Sequence, residues 1–140
     1  MKTRNCRVRQ TGFSIIEGLV SILIFSLGVM ALISLQATSV QQSSNAKYRS
    51  DAAMLANELI GQMWVGDRTA TSLQANFNTG GTQYNAWLTN VQATLPGSSA
   101  SAPTVSVSNN GQVTVNIYWK APSEPASTAE HNYITLAQIK

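Results

Sequence analysis

Residues 9–36 read RQTGFSIIEGLVSILIFSLGVMALISLQ, and their physical character decides how the rest of the chain can be organised. From Phe13 to Leu35 there is a 23-residue run with no proline and a single charge, Glu17. As a helix rising 1.5 Å per residue, such a run covers roughly 35 Å, enough for a bilayer core of about 30 Å. Lys2, Arg4, Arg7 and Arg9 stand before it, which places its N-terminal end in the cytoplasm and the remainder outside. Glu17 is the anomaly. An acid inside a membrane helix costs about 2.5–3.5 kcal/mol on insertion scales and tends to mark a functional contact.

The rest of the 140-residue chain is different in kind. Beyond the apolar run it is rich in Ser, Thr, Asn and Gln, and about a hundred residues remain for one modest water-soluble core. From Phe13 onward five basic residues (Lys47, Arg49, Arg68, Lys120, Lys140) face six acids (Glu17, Asp51, Glu58, Asp67, Glu124, Glu130). The basic pI therefore belongs to the first twelve residues, and dispersed cations in the body give no stripe for nucleic acid. The single cysteine, Cys6, also lies in that leader, so no disulfide can form within the body.

Past Gln36 no proline occurs before Pro96 and no glycine before Gly61. Tyr48, Ala52, Leu55, Ala56, Leu59 and Met63 recur at spacings of three and four, the apolar stripe of an amphipathic helix. One nearly continuous helix is expected from about Ser14 to about Trp64, with Gly66 as a C-cap. SLQANFN and NAWLTNVQATL each suit a short helix or a helical turn, separated by the Gly80-Gly81 turn, and PGSSASAP suits a flexible linker or loop; the exact fold of 67–103 stays open at this point. The period then changes to two. TVSVS and QVTVNIYWK flank an NNG turn, with Val113, Val115, Ile117 and Trp119 on one face, and HNYITLAQI supplies a third strand. Three antiparallel strands need a cover for their apolar face, which the 48–64 helix provides. The expected fold is α+β: a long N-terminal helix, half transmembrane and half amphipathic, packed on a small antiparallel sheet.

Residues 1–36 admit four interpretations. A removable secretory signal needs a shorter apolar region and a small-residue cleavage site after it. A plain membrane anchor accounts for the length and the arginines but not for Glu17. A core helix of a soluble protein would keep a polar face, and this run has none. The fourth comes from the motif itself. A short basic leader, Gly12-Phe13, an acid at the fifth place after that junction and an unbroken apolar run together resemble the class III signal of type IV prepilins.

That resemblance implies that a prepilin peptidase cuts between Gly12 and Phe13 and methylates the new Phe13 amine. It divides the chain into a leader (1–12), a transmembrane and assembly helix (13–36) and a periplasmic pilin-like domain (37–140). An α-amine is largely positive at neutral pH, with an unperturbed pKa of about 7.7–8.0. Glu17 can then meet the Phe13 amine of a neighbouring subunit. A charge pair left half-made in an apolar bundle costs several kcal/mol, so the pair would act as a register pin. Ser14, Gly18, Ser21 and Gly28 are small residues that let helices approach closely, although any one of them is equally tolerated in a span without partners.

Farther on, SLGVMALISLQATSVQQSSNAKYRSDAAMLANELIGQMW looks like the PilV type of minor pilin, through Arg49, Ser50, Ala52, Leu55, Ala56 and Leu59. The strand VTVNIYW also fits. The resemblance implies a low-abundance subunit that helps initiate pilus assembly. Its partners would be other minor and major pilins, a prepilin peptidase and an inner-membrane assembly platform, with the domain reaching the cell surface. A minor pseudopilin of a type II secretion system shares the same N-terminal pattern, and a pilus-borne adhesin remains open. The chain departs from many pilins in having no C-terminal disulfide.

Little in the sequence points to catalysis. His131 is the lone histidine, between Glu130 and Asn132, and reads as a surface residue. There is no G-x-S-x-G, no G-x-G-x-x-G and no clustered metal-ligating set, so neither enzyme activity nor a cofactor or metal is expected. Trp64, Trp87 and Trp119 suit core or interface positions.

Overall fold

A computed structural model describes residues 13–140, with Phe13 and Ser14 as backbone only. In chain order it contains α1 (Phe13–Val65), α2 (Ala70–Phe77), α3 (Thr82–Thr94), β1 (Thr104–Val107), β2 (Gln112–Trp119) and β3 (His131–Gln138). The arrangement is α+β, with a long N-terminal helix and a three-stranded antiparallel sheet. The chain separates into two compact units, one ending at Val40 and one from Gln41 to Lys140.

The first unit is the apolar part of α1. It is hydrophobic on all sides, and Ile15, Leu19, Ile22, Phe25, Met30 and Leu35 are each more than 60 % exposed. This stretch meets the requirements of length and apolarity for crossing a membrane, with a mean hydropathy of 2.5 over its most apolar window. Three of its hydroxyls turn back on the helix. Ser26, Ser34 and Thr38 donate to the carbonyls of Ile22, Met30 and Ser34, at 2.7, 3.1 and 3.0 Å.

The second unit holds the core. Ala52, Leu55, Ala56, Leu59 and Met63, the stripe of α1, pack with Val113, Val115, Ile117 and Trp119 of β2 and with Leu73, Phe77, Trp87 and Val91 of α2 and α3. Helix α2 starts where the Thr69 hydroxyl accepts from the Ser72 N–H, and Asp67 in turn accepts from the Thr69 N–H at 3.0 Å. Tyr84 of α3 donates its buried hydroxyl to the Pro103 carbonyl at 2.6 Å; burial pushes that phenol above its ordinary pKa.

Of the two forms expected for PGSSASAP, a flexible linker or a loop, the chain takes the second, as an anchored loop. Ser98 is fully buried and donates to the Leu95 carbonyl at 2.6 Å, Pro103 is fully buried, and the Lys120 N–H bonds to the Pro96 carbonyl at 2.9 Å. Gly97, at φ +80, makes the turn that an L side chain rarely adopts.

The sheet order is β1-β2-β3, both pairs antiparallel. Val105 lies opposite Val115, and Val115 opposite Thr135. Asn109-Asn110-Gly111 closes the first hairpin, with Gly111 at φ +80. The outer edge of β1 is covered by side chains of α2 and the loop after it. The Val107 N–H donates to Asn78 Oδ1 at 2.8 Å, the Val105 N–H to Thr79 Oγ1 at 3.0 Å, and Gln74 Nε2 to the Val107 carbonyl at 3.0 Å. The Thr79 N–H completes this cover by bonding the Val105 carbonyl at 3.1 Å.

Candidate functional site

The residues singled out by the sequence lie at the start of α1. Gly12 is outside the described residues, as is the side chain of Phe13, whose backbone opens the helix. Glu17 is exposed in the second turn. Four residues on from Phe13, it lies on the same side of the helix as the position where the new amine would stand. Around it, Ile15, Ile16, Leu19 and Val20 are exposed by 71, 63, 64 and 47 %. Glu17 is thus the one charged residue between Phe13 and Leu35, on a helix stretch that is exposed and mostly apolar.

Two glycines lie on that surface. A Cβ added at Gly18 or Gly28 would meet nothing within 4 Å, so neither glycine is required by packing within the chain. Between Gly28 and the next turn, Phe25, Ser26, Val29, Met30 and Ile33 line a shallow apolar depression. Small and apolar residues so placed permit close approach of a second helix.

A second cluster lies at the other end of the chain. His131 Nε2 is 2.8 Å from Glu124 Oε1, and Asn45 Nδ2 donates to the same oxygen at 3.2 Å. These contacts tie the β2–β3 loop to both β3 and α1. The hydrogen bond from His131 comes first among the causes that hold the Glu124 carboxyl below its ordinary pKa, with the Asn45 bond adding to it. The ring of His131 stacks on Trp119 with centroids 5.8 Å apart. His131, its side chain 36 % exposed, lies at the surface and is also a structural partner; Glu124, seven residues upstream, comes back to meet it because the loop folds over. Beside this cluster, Asn45, Ala46, Arg49, Trp119, Glu130, His131 and Asn132 line a pocket. Two buried groups there have no hydrogen-bond partner: the Trp119 indole N–H and Asn45 Oδ1.

A third feature is an open groove where the end of α1 meets α2 and α3, lined by Glu58, Gln62, Asp67, Asn76, Trp87 and Asn90 among others. Each of its carboxylates has a local partner. Asp67 serves the Thr69 turn, which holds its carboxyl below the ordinary value, and Glu58 accepts from Gln62 Nε2 at 3.4 Å. Among the described residues no three His, Cys, Asp or Glu side chains gather as a metal site would require.

Glu17 belongs to the first unit and the His131 cluster to the second. Sequence reasoning missed the Glu124–His131–Asn45 contact and the contrast between the two sheet edges. One signal was available for the latter: NYITLAQ carries apolar residues on both of its faces, Tyr133 and Ala137 on one, Ile134 and Leu136 on the other. Compared with known protein families, curated proteins and solved structures, the chain shows no match.

Proposed function

We propose that the protein is a membrane-inserted minor pilin, a structural subunit that helps start assembly of a type IV pilus and has no catalysis of its own. One observation carries the proposal: α1 continues from the Gly12-Phe13…Glu17 motif, through a stretch exposed and apolar on all sides, into the stripe that covers a small sheet. A helix of this kind suits first a bilayer and then a bundle of like helices, since both are apolar surroundings. The basic residues before Gly12 favour a cytoplasmic N-terminus and a periplasmic domain. Residues 49–59 and the VTVNIYW strand support the PilV type within that class.

Intact mass and N-terminal sequencing of the protein extracted from membranes test the proposal. The expected product begins at a methylated Phe13. A mature chain beginning at Met1 would leave only the anchor interpretation. Glu17→Ala should lower entry into filaments while leaving membrane insertion intact; incorporation at the wild-type level would remove the register role. Co-purification with secretion pseudopilins in place of pilins would move the protein to a type II secretion system.

A further inference from the structure

The two edges of the sheet are finished differently. On β1, every outward main-chain group of Val105 and Val107 is bonded by Gln74, Asn78 or Thr79. Those bonds fix the alternation across the sheet. Since Val105 faces away from β2, its opposite number Val115 directs its main chain toward β3, as do Val113 and Ile117. Their opposites on β3 are Ala137, Thr135 and Tyr133. The main-chain groups of Asn132, Ile134 and Leu136 therefore point to the outer edge of β3, where no bond to them exists among the described residues.

The devices that normally blunt such an edge are missing here. Between Asn132 and Ile139 there is no lysine, no proline and no charge. The side chains at Ile134 and Leu136 are instead apolar and 53 and 63 % exposed. Free main-chain groups and exposed apolar side chains thus occur at the same two residues.

The end of this edge carries a polar station. Beside His131 and Asn132 lies the pocket with the unpaired, buried indole N–H of Trp119, which is 3 % exposed, and Arg49, which has no ion pair among the described residues. Asn45 Oδ1 adds an unpaired acceptor, while Glu130 on the same wall accepts from the Ser101 hydroxyl at 2.6 Å. A strand added antiparallel to β3 ends, in its own direction, next to the start of β3. Its last residues would therefore lie beside His131 and Asn132, which share their pocket with Arg49.

We propose that the free edge of β3 receives an extended, carboxylate-bearing segment of another polypeptide, which adds antiparallel as a fourth strand and sets its carboxylate at Arg49 near the Trp119 indole. Main-chain bonds at Asn132, Ile134 and Leu136 supply the pairing, and apolar side chains of the segment cover Ile134 and Leu136. The carboxylate supplies the charge that Arg49 lacks. A second copy of this chain fits less well: from His131 to Gln138 it has no acidic side chain, and the next residue, Ile139, is buried and bonded to the Gly111 carbonyl of its own fold at 2.9 Å. This site does not depend on the pilus assignment.

The test uses the full chain in nanodiscs and a fluorescein-labelled octapeptide of alternating valine and threonine with aspartate at its last position. Binding with a Kd below about 1 mM is expected. The Ile134 and Leu136 amides should exchange more slowly with peptide present, and N-methylation of alternate peptide residues should abolish both effects. Arg49→Ala, or asparagine in place of the peptide aspartate, should weaken binding about fivefold to tenfold. Ile134→Lys, on the outer face and away from the core, should weaken it while leaving tryptophan fluorescence unchanged. Absence of binding at about 1 mM, or binding that survives N-methylation, would overturn the proposal. So would slowed exchange in peptide-free samples that grows with protein concentration, because a second copy would then hold the edge.

Discussion

The indole N–H of Trp87 donates to the main-chain oxygen of Leu55 at 2.9 Å, with both residues buried. This bond ties α3 to the middle of the amphipathic part of α1, and Tyr84 packs against the same indole at 6.0 Å between ring centroids. Trp87→Ala should cost about 3–5 kcal/mol through the cavity it leaves. Trp87→Phe keeps most of the volume and should cost about 1–3 kcal/mol, mainly through the lost donor. Urea unfolding in detergent, followed by circular dichroism, separates the two.

Two glycines should respond to alanine with opposite signs. At Gly61, on the exposed side of α1, an added Cβ would meet nothing within 4 Å. Gly61→Ala is expected to stabilise the helix by about 0.5–1 kcal/mol. At Gly111, φ is +80 and an added Cβ would collide with the Ile139 carbonyl. Gly111→Ala should cost about 1–3 kcal/mol from backbone strain, with the clash added to it. Melting temperatures of the two variants should lie on either side of the parent's.

The covered edge of β1 depends on Asn78. Removing its side chain leaves the Val107 N–H, on a residue 5 % exposed, without an acceptor. Asn78→Ala should cost about 1–3 kcal/mol. Hydrogen exchange offers a local check: the Val107 amide should lose protection, while amides of β2 that bond to β3 keep theirs.

The Glu124 carboxyl is held below its ordinary value of 4.5, first by its hydrogen bond with His131. A carboxyl depressed in the folded state binds fewer protons there than in the unfolded chain. Its contribution to stability is therefore complete above pH 4.5 and fades as pH falls from that value through the lower folded one. Asp67 is depressed in the same sense, so acid sensitivity of the whole protein has more than one source. Glu124→Gln should be less stable than the parent near pH 7, with the gap closing under acid. A gap that stays constant to pH 3 would show that the contact makes no protonation-linked contribution.

Most of the fold was legible because it rests on local period. Leu55, Leu59 and Met63 announce a helical stripe, and Val113, Val115 and Ile117 announce a strand, since each pattern repeats the geometry of its element. The short helices α2 and α3 could be placed from the Gly80-Gly81 break. What escaped depends on residues distant in sequence. Asn78 and Thr79 look like ordinary turn formers, and only the folded chain sets them against Val105 and Val107. Ser98 in a Ser-rich stretch gives no sign that it will be buried. Glu17 was visible as an oddity of composition, and it is exposed because this whole stretch of α1 is exposed, not because of its place in the helical turn.

The back-bonded hydroxyls of Ser26, Ser34 and Thr38 bear on the cost of changing solvent. A hydroxyl that relies on water must give up a bond when it enters oil, whereas these three carry their acceptors with them on the preceding turn. The segment can pass from lipid to a dry protein surround, or back, without undoing those bonds. For those three hydroxyls, an apolar surround of lipid and one of protein therefore differ little.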